Sequence, residues 1–495
     1  MRAATCARLA APLLMLGSLY GCLLGPNYER PKVAVPATYR NAYPNAADVA
    51  DVANTAWWEQ FQDPVLNDLV KTALENNLNV KQAAARVDEF MGQFVSTRSA
   101  LFPQASAGFD ASRQRASQLG PTPIPAGVSP VFNEYQGSLS GFWNIDLFGQ
   151  VRRETEAARA NVNAAEQSRR ATILTLVSSV ASSYIVLRSL DRQLEIAQST
   201  TASRADSVHV FTLRQQFGQT SQMELAQSQS DYESTAATIP QLEQQIAQQE
   251  DALSVLLGSN PEPILRGRAL ADLTTPAVPA GLPSDLLDRR PDLLQAEQNL
   301  VAQNALIGAA RALYFPQISL TGLFGSVSTQ FSKLFTGPAR VWSYAGSVTV
   351  PLFTGGNIYG QNKQAEARQQ EALFAYENAI QVAFQQVDDA LVAVQKSRQQ
   401  AEIQGRQVGS LRTYLRLARL RYEGGYTSYL EVLDAERNLF SSELQYTQTQ
   451  AATLTNLVSL YMAMGGGWVV QAEQMSVPPA KAQPAAPPPV AQVPQ

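Results

Sequence analysis

The sequence predicts an α+β membrane protein that carries an internal duplication. Three observations lead to this prediction. Motifs from the first half of the 495-residue chain recur in order in the second half, each half contains a long proline-free stretch with a heptad apolar pattern, and each half contains two segments of alternating apolar and polar residues. These patterns indicate two copies of a unit that combines a strand pair with very long helices.

The N-terminus predicts export and lipid anchoring. Two arginines flank the start of an apolar run over residues 9–20, which is too short to span a bilayer as a helix. The run leads into Leu19-Tyr20-Gly21-Cys22, which resembles a bacterial lipobox. In a lipoprotein the signal would be cleaved before Cys22, and the new N-terminal cysteine would be acylated. Leu23 after this cysteine, rather than aspartate, favours sorting to the outer membrane. An ordinary signal peptide with an incidental cysteine is the alternative.

Composition argues against several classes of protein. A net charge of −4 with 16% charged residues is unlike a nucleic-acid-binding protein. After removal of the signal, the chain has a single histidine, His209, and a single cysteine, which excludes His/Cys zinc clusters and Cys–His catalysis. No glycine-rich phosphate loop with a lysine is found. We therefore expect no enzymatic activity, no cofactor, no metal site and no nucleic-acid partner.

Three matched sets of residues define the duplication, with offsets near 207 positions. The sets are Leu101-Phe102-Pro103-Gln104 with Tyr314-Phe315-Pro316-Gln317; Leu147-Phe148-Gly149 with Leu352-Phe353-Thr354; and Leu213, Arg214, Gly218, Thr220, Ser221 and Glu224 with Leu420, Arg421, Gly425, Thr427, Ser428 and Glu431. The predicted division of the chain is a signal peptide (1–21), a lipid-anchored segment (22–63), the first repeat (64–257), a proline-rich linker (258–284), the second repeat (285–464), and a C-terminal end with a disordered Pro/Ala-rich tail (465–495).

Apolar residues spaced by seven predict coiled-coil packing in each repeat. They are Ile173, Val180, Leu187 and Leu194 in the first repeat and Ile380, Val387 and Val394 in the second, with Phe384 and Leu391 at the intermediate positions. Residues 154–217 and 357–423 contain no proline, and the first stretch corresponds to about 95 Å of helix. Helices of this length serve to cross a distance rather than to close a small core.

Each long helix is predicted to end in a tight turn that leads into a second helix. Gly218 and Gly425 suit the left-handed backbone of a helix C-terminus. A serine or threonine follows each glycine, and Glu224 or Glu431 stands three residues after the serine, as in a capping box. Each repeat is therefore expected to end in a helical hairpin with an exposed tip.

Four segments have the period-two pattern of half-buried strands. Their apolar positions are Ala105, Ala107, Phe109 and Ala111; Tyr135, Leu139 and Trp143; Ile318, Leu320 and Phe324; and Tyr344, Val348 and Val350. Four strands cannot close a barrel, and an open edge cannot lie in lipid. Two chains would give eight strands with a filled interior, whereas three would give twelve and leave a channel. The pattern favours a trimer, and a soluble antiparallel sheet remains the alternative.

Several motifs resemble the outer membrane factor family, of the TolC-like, OprM/NodT lipoprotein type. They are Cys22-Leu23-Leu24-Gly25-Pro26-Asn27-Tyr28-Glu29-Arg30-Pro31; Asp288-Arg289-Arg290-Pro291-Asp292-Leu293; Ile307-Gly308-Ala309-Ala310-Arg311; Phe315-Pro316-Gln317-Ile318-Ser319-Leu320-Thr321-Gly322; Arg421-Tyr422 with Gly425, Ser428, Leu430 and Leu433-Asp434-Ala435; and Gly465-Gly466-Gly467-Trp468. The resemblance covers residues 22–468.

This resemblance implies a homotrimer with a 12-stranded transmembrane β-barrel, four strands per chain, continuous with a long periplasmic α-helical barrel. It implies a passive exit duct for drugs or other small toxic compounds, which docks on a periplasmic adaptor (membrane fusion protein) and, through it, on an inner-membrane transporter of the RND class. Leu430 and Asp434 would form the periplasmic gate. The expected adaptor-contacting residues are Gly218, Thr220, Ser221, Gly425, Thr427 and Ser428.

Two other functions are compatible with parts of the sequence. A duct of the same shape could serve a type I protein secretion system, although the Arg289-Arg290-Pro291-Asp292 segment and the lipoprotein start favour efflux. A structural coiled-coil envelope lipoprotein would explain the long helices. It would not explain the alternating strands.

Overall fold

The computed structural model describes residues 23–41, 56–117, 127, 129–276 and 286–465. Cys22, the signal segment and nearly all of the C-terminal tail lie outside the described residues, as does the end of the proline-rich linker. The described residues form two compact units. The first unit contains residues 23–32, 86–165 and 295–377, and the second contains residues within 33–85, 166–294 and 378–465.

A four-stranded antiparallel sheet lies in the first unit, with its strands in chain order. The strands are β1 (Gln104–Arg115), β2 (Val131–Ile145), β3 (Gln317–Ser328) and β4 (Arg340–Thr349). Each strand pairs with the next one, so β1 and β4 are the edges of the sheet. The four alternating segments are thus confirmed as strands, two from each predicted repeat.

The register places the predicted apolar positions of all four strands on one face. Ala107 lies opposite Leu139, and Phe324 lies between Leu139 and Trp342. Because residues two apart in a strand share a face, this apolar face also carries Ala105, Phe109, Tyr135, Trp143, Ile318, Leu320, Tyr344 and Val348. The opposite, polar face carries Gln104, Ser106, Ser138, Ser140, Ser319, Thr321, Ser343 and Ser347.

No described helix covers the apolar face. Trp342 is 69% exposed, Phe324 is 61% exposed and Leu139 is 54% exposed. An exposed face this rich in large apolar residues requires lipid or another chain to cover it. Among the described residues, the sheet therefore has an uncovered apolar face and two edge strands whose outer backbone groups are not paired with another strand.

Each half of the chain has helices before and after its strand pair. They are α1 (Pro64–Asn76), α2 (Leu78–Ser99), α3 (Gln150–Gln216), α4 (Gln222–Ala236), α5 (Thr238–Leu257), α6 (Leu286–Arg289), α7 (Pro291–Ala312), α8 (Asn357–Glu423) and α9 (Tyr429–Ala463). The two long helices, α3 and α8, have 67 residues each, and both of their ends are 207 positions apart. At 1.5 Å per residue each is about 100 Å long.

Helix α3 begins four residues before the predicted start because of a cap that lies upstream of it. Gly149 adopts a left-handed backbone with φ of 79°. The Asp146 carboxylate then accepts hydrogen bonds from the backbone N–H groups of Val151 (3.1 Å) and Arg152 (2.9 Å). This carboxylate satisfies free N–H groups at the positive end of the helix dipole.

The heptad positions form the core of the second unit. Ile173, Val180 and Val387 are fully buried, with 0% exposure each. They pack in one cluster with Trp57 and Tyr461, whose rings stack at 5.2 Å. Helix α3 is the one described helix with the length and composition of a membrane span (mean hydropathy 1.6 over 18 residues). Since 61% of that window is buried in the protein, its apolarity is that of a core helix.

The two predicted repeats differ in their last helices. Helix α9 is continuous over 35 residues, whereas the first predicted repeat has two shorter helices, α4 and α5, that meet at Ala237. Pro240 lies in the first turn of α5 and has no N–H to continue the hydrogen bonds of α4. Proline therefore divides one hairpin arm of the first repeat.

Candidate functional site

The first hairpin tip joins α3 to α4 through the predicted glycine. Gly218 has φ of 69°, and the backbone N–H of Gln219 donates to the carbonyl of Arg214 at 2.8 Å, which closes the helix C-terminus. Ser221 then caps α4 in a complete capping box with Glu224. The Glu224 carboxylate also accepts a hydrogen bond from the Thr220 hydroxyl, and these bonds lower its pKa.

The second hairpin tip, between α8 and α9, has the same glycine but a different cap. Gly425 has φ of 74°. The prediction of a capping box is wrong here, because the Ser428 side chain makes no capping hydrogen bond. Glu431 instead accepts from the Thr427 hydroxyl and pairs with Arg421 at 2.9 Å. The arginine draws the carboxylate away from the serine backbone.

A small apolar cluster lies beneath the two tips and fixes the rotation of α9. The buried residues are Phe211 from α3, Ala418 from α8, and Tyr429, Val432, Leu433 and Ala435 from α9. The Phe211 and Tyr429 rings are 4.3 Å apart. Because one side of α9 is committed to this cluster, its opposite side is presented outward.

Leu430 and Asp434 lie on that outward side of α9. Leu430 is 58% exposed, although its neighbours Tyr429 and Val432 are at most 6% exposed. Asp434 is also exposed and accepts a hydrogen bond from the Asn438 amide at 3.1 Å. The Tyr414 hydroxyl lies close enough that its partial burial and the Asp434 carboxylate raise the tyrosine pKa. Neither of these two predicted gate residues belongs to the core of the described chain.

The two hairpins are joined by charged and polar contacts that the sequence did not reveal. Arg437 of α9 pairs with Asp231 of α4 at 2.6 Å. The Asp231 side chain is 7% exposed, whereas the arginine is 54% exposed. One carboxylate oxygen of Asp231, Oδ2, has no hydrogen-bond partner among the described residues. Two arginines compensate this buried charge: Arg437 forms the ion pair, and the buried Arg204 guanidinium donates to the Asp231 carbonyl at 2.8 Å.

A second set of contacts joins the long helices near the tips. Arg419 of α8 pairs with the buried Glu436 of α9 at 2.6 Å and also donates to the Ser203 hydroxyl of α3 at 3.2 Å. Arg214 of α3 donates to the Tyr422 hydroxyl of α8. These partners are up to 216 positions apart in sequence, so no local periodicity identifies them. They hold the arms of the second hairpin against the first.

The residues that follow Cys22 pack against the first unit through hydrogen bonds and one close backbone contact. Arg153 of α3, only 1% exposed, donates to the carbonyl of Leu24 at 2.9 Å and to the side chain of Asn27 at 2.9 Å. Gly25 has φ of 89°, and a Cβ on it would lie 2.4 Å from the Cα of Gly308. The family-like start of the chain is thus held by a buried arginine, and a glycine is required for the close approach.

The single histidine that the sequence analysis singled out lies on a helix surface. His209 is exposed on α3. The described residues contain no group of three or more His, Cys, Asp or Glu side chains that could hold a metal ion.

Comparison with known proteins identifies the family. The model of the outer membrane efflux protein family matches residues 69–259 and 282–466. The chain is 36% identical to the probable efflux pump outer membrane protein TtgC of Pseudomonas putida over 473 residues, covering 94% of this chain and 96% of the relative. It is also 36% identical to the cation efflux system protein CusC of Escherichia coli over 461 residues, covering 92% and 98%.

The fold is shared with a solved outer-membrane channel. The Campylobacter jejuni CmeC outer membrane channel superposes with a TM-score of 0.86 at 25% identity, covering 92% of this chain and 98% of that one. The chain therefore belongs to the outer membrane efflux protein family and is the outer-membrane component of an efflux pump.

Proposed function

We propose that this protein assembles as a homotrimer and forms the passive exit duct of a tripartite, RND-type efflux pump. The observation that carries the proposal is the sheet. It has one exposed apolar face, one polar face and two unpaired edges. In lipid these features are compatible only with a closed barrel whose apolar face points outward.

The number of strands supports three chains. Each chain supplies four, and an eight-stranded barrel of two chains would be filled by its own side chains. Twelve strands leave an interior lined by the polar face, whose residues are mostly Ser, Thr and Gln. The helices α3 and α8 would continue this duct as a periplasmic α-helical barrel. Their length of about 100 Å suits a span across a compartment.

The outward side of α9 supports a gate at the second tip. In a trimer, three copies of Leu430 would form an apolar ring and three copies of Asp434 an acidic ring one helical turn away. An apolar constriction excludes water, and a ring of carboxylates favours cations. At the matching positions of the first tip stand Met223, which is 67% exposed, and Gln227. The acidic ring would therefore come from the second hairpin alone.

The exposed tips support docking on a periplasmic adaptor. Phe217 is 77% exposed and Tyr426 is 81% exposed, beside the left-handed glycines Gly218 and Gly425. Large apolar side chains exposed on tight turns are typical of contact surfaces. The polar groups expected at the contact are those of Thr220, Ser221, Thr427 and Ser428.

The packing of residues 23–27 against the first unit supports a lipid anchor at a fixed position. Arg153 and Gly308 hold the chain immediately after Cys22 against the first unit, which also contains the sheet. Acyl chains on Cys22 would enter the outer membrane from a defined position. Relatives are named for cation efflux as well as for efflux pumps of other kinds, and drugs or other small toxic compounds are our proposed cargo.

Planar-bilayer recording tests the duct. Purified protein should open ion-conducting pores of uniform size, and Asp434→Ala should increase the open fraction. The intact trimer in detergent serves as the control for folding. A trimer that inserts but never conducts, even with Asp434→Ala, would favour a structural envelope lipoprotein instead. The secreted-protein profile of cells without the gene would reveal a type I secretion duct.

A further inference from the structure

The charged residues of the four strands are divided between the two faces by sign. Arg113 and Arg115 on β1 and Arg340 on β4 lie on the apolar face. Asp110 on β1 and Glu134 on β2 lie on the polar face. The register is unambiguous, because Arg340 is two residues from Trp342 and Arg113 is four from Phe109 on the same face. The apolar face of the strands thus carries cations and no carboxylate.

All three arginines lie at the same end of the sheet. This is the end at which the β1–β2 and β3–β4 connections begin, because Arg115 is the last residue of β1 and Arg340 is the first of β4. The opposite end of the apolar face carries Ala105, Ile318 and Val348 and has no charged residue. An arginine collar at one end only indicates that the surroundings of the two ends differ in charge.

Aromatic residues lie next to the arginines, toward the middle of the face. The Trp342 and Tyr344 rings stack at 5.7 Å. Phe331, from the β3–β4 connection, packs edge-on against Phe109 at 6.3 Å and against Tyr135 at 5.6 Å. Aromatic side chains with basic side chains just beyond them are typical of the level at which hydrocarbon gives way to headgroups.

Pairing with carboxylates does not account for the arginines. Each is exposed, and no described residue forms an ion pair with it. A neighbouring copy joined edge to edge would bring β4 beside β1. The only acid on those two strands, Asp110, points to the other face. The charges of the collar therefore need an anion from the surroundings.

We propose that Arg113, Arg115 and Arg340 bind the phosphate groups of an anionic lipid in the outer leaflet, and that this contact sets the depth of the strands in the membrane. Guanidinium groups bind phosphate oxygens in a bidentate manner. Arginines on a surface that is otherwise apolar would be unfavourable unless they reach such groups. The inference rests on the proposed function, since it requires the apolar face to contact lipid.

Lipid binding by the purified full-length protein tests the collar. The probes are fluorescent diphosphoryl lipid A and the same lipid without its phosphates, each titrated in neutral detergent at low salt. The triple variant R113Q/R115Q/R340Q should bind the diphosphoryl lipid on the order of 100-fold more weakly than wild type, at roughly fivefold for each arginine. Both proteins should bind the dephosphorylated lipid equally weakly.

A matched variant removes the same charge from helices. Arg86, Arg98 and Arg368 are exposed on α2 and α8, and R86Q/R98Q/R368Q should bind the diphosphoryl lipid as wild type does. If the triple collar variant does not assemble, the three single variants should each lose about fivefold. Equal binding by wild type and the collar variants, or equal loss in the helix variant, would overturn the proposal. Failure of wild type to conduct in bilayers would instead overturn the duct, which separates the two claims.

Discussion

The ion pair between Arg437 and Asp231 gives a quantitative test of how the tips are held. Arg437→Gln removes the partner of a carboxylate that is 7% exposed. The pair joins α9, which carries Leu430 and Asp434, to α4 of the other hairpin. If the gate opens by movement of α9 away from α4, the bond exists only in the closed state. Its removal should therefore shift the equilibrium toward the open state.

The magnitude follows from the two exposures. A fully exposed pair contributes at most about 1 kcal/mol, and removal of one partner from a fully buried pair costs about 3–5 kcal/mol. With one buried and one half-exposed member, about 2 kcal/mol per chain is expected. Three chains that open together would supply about 6 kcal/mol, which is enough to invert a gate that is 99% closed.

Single-channel recording of the open fraction is the assay. Arg437→Gln should convert a mostly closed channel into a mostly open one, and Asp231→Asn combined with Arg437→Gln should recover part of the closed state. The matched control is Arg192→Gln, because the Arg192–Glu195 pair is exposed on both sides (50% and 61%) and lies within α3. An unchanged open fraction in Arg437→Gln, with the trimer intact, would refute the assignment of this pair as a closing contact.

Three further predictions concern separate parts of the chain. Asp434→Asn should lower the cation-to-anion permeability ratio, measured as a smaller reversal potential in a KCl gradient, because the ring loses its charge. Arg153→Met should speed amide exchange in residues 23–27 by an amount equivalent to about 3 kcal/mol, because buried carbonyls lose a charged donor, whereas Arg159→Met on the exposed side of α3 should not. The folded state lowers the Glu224 pKa, so the first tip is stabilised above the usual glutamate range and should fray as pH falls through and below about 4. The amide protection factors of the tip, which are corrected for the intrinsic exchange rate, should fall over this pH range in wild type and stay constant in Glu224→Gln.

The elements with a strong period were predictable from sequence. Residues 357–423 were predicted as one helix and form Asn357–Glu423, because nothing in that stretch breaks the heptad pattern. The strands were also predictable, because the period-two pattern of Ile318, Leu320 and Phe324 is that of a sheet with two chemically different faces. The left-handed glycines at both tips were found because few other residues tolerate that backbone.

Contacts between distant segments were not predictable. The Arg437–Asp231 and Arg214–Tyr422 contacts join residues about two hundred positions apart, and nothing in either local sequence marks the partner. The same applies to Arg153, whose acceptors lie in the first residues after Cys22. The incorrect prediction of a capping box at Ser428 has a related cause. Arg421 of the preceding helix pairs with Glu431, and the four-residue capping motif contains no information about that arginine.

Efflux in living cells tests the central claim most directly. Accumulation of a fluorescent efflux dye would be measured in cells lacking the gene, in cells with the gene restored, and in cells with a version in which Gly218 and Gly425 of the tips are both replaced by valine. The account predicts high dye retention without the gene, normal retention when it is restored, and high retention with the altered tips at equal protein level. The same comparison would be made in cells that lack every other outer membrane efflux protein. Equal dye retention with and without the gene in those cells would contradict the account.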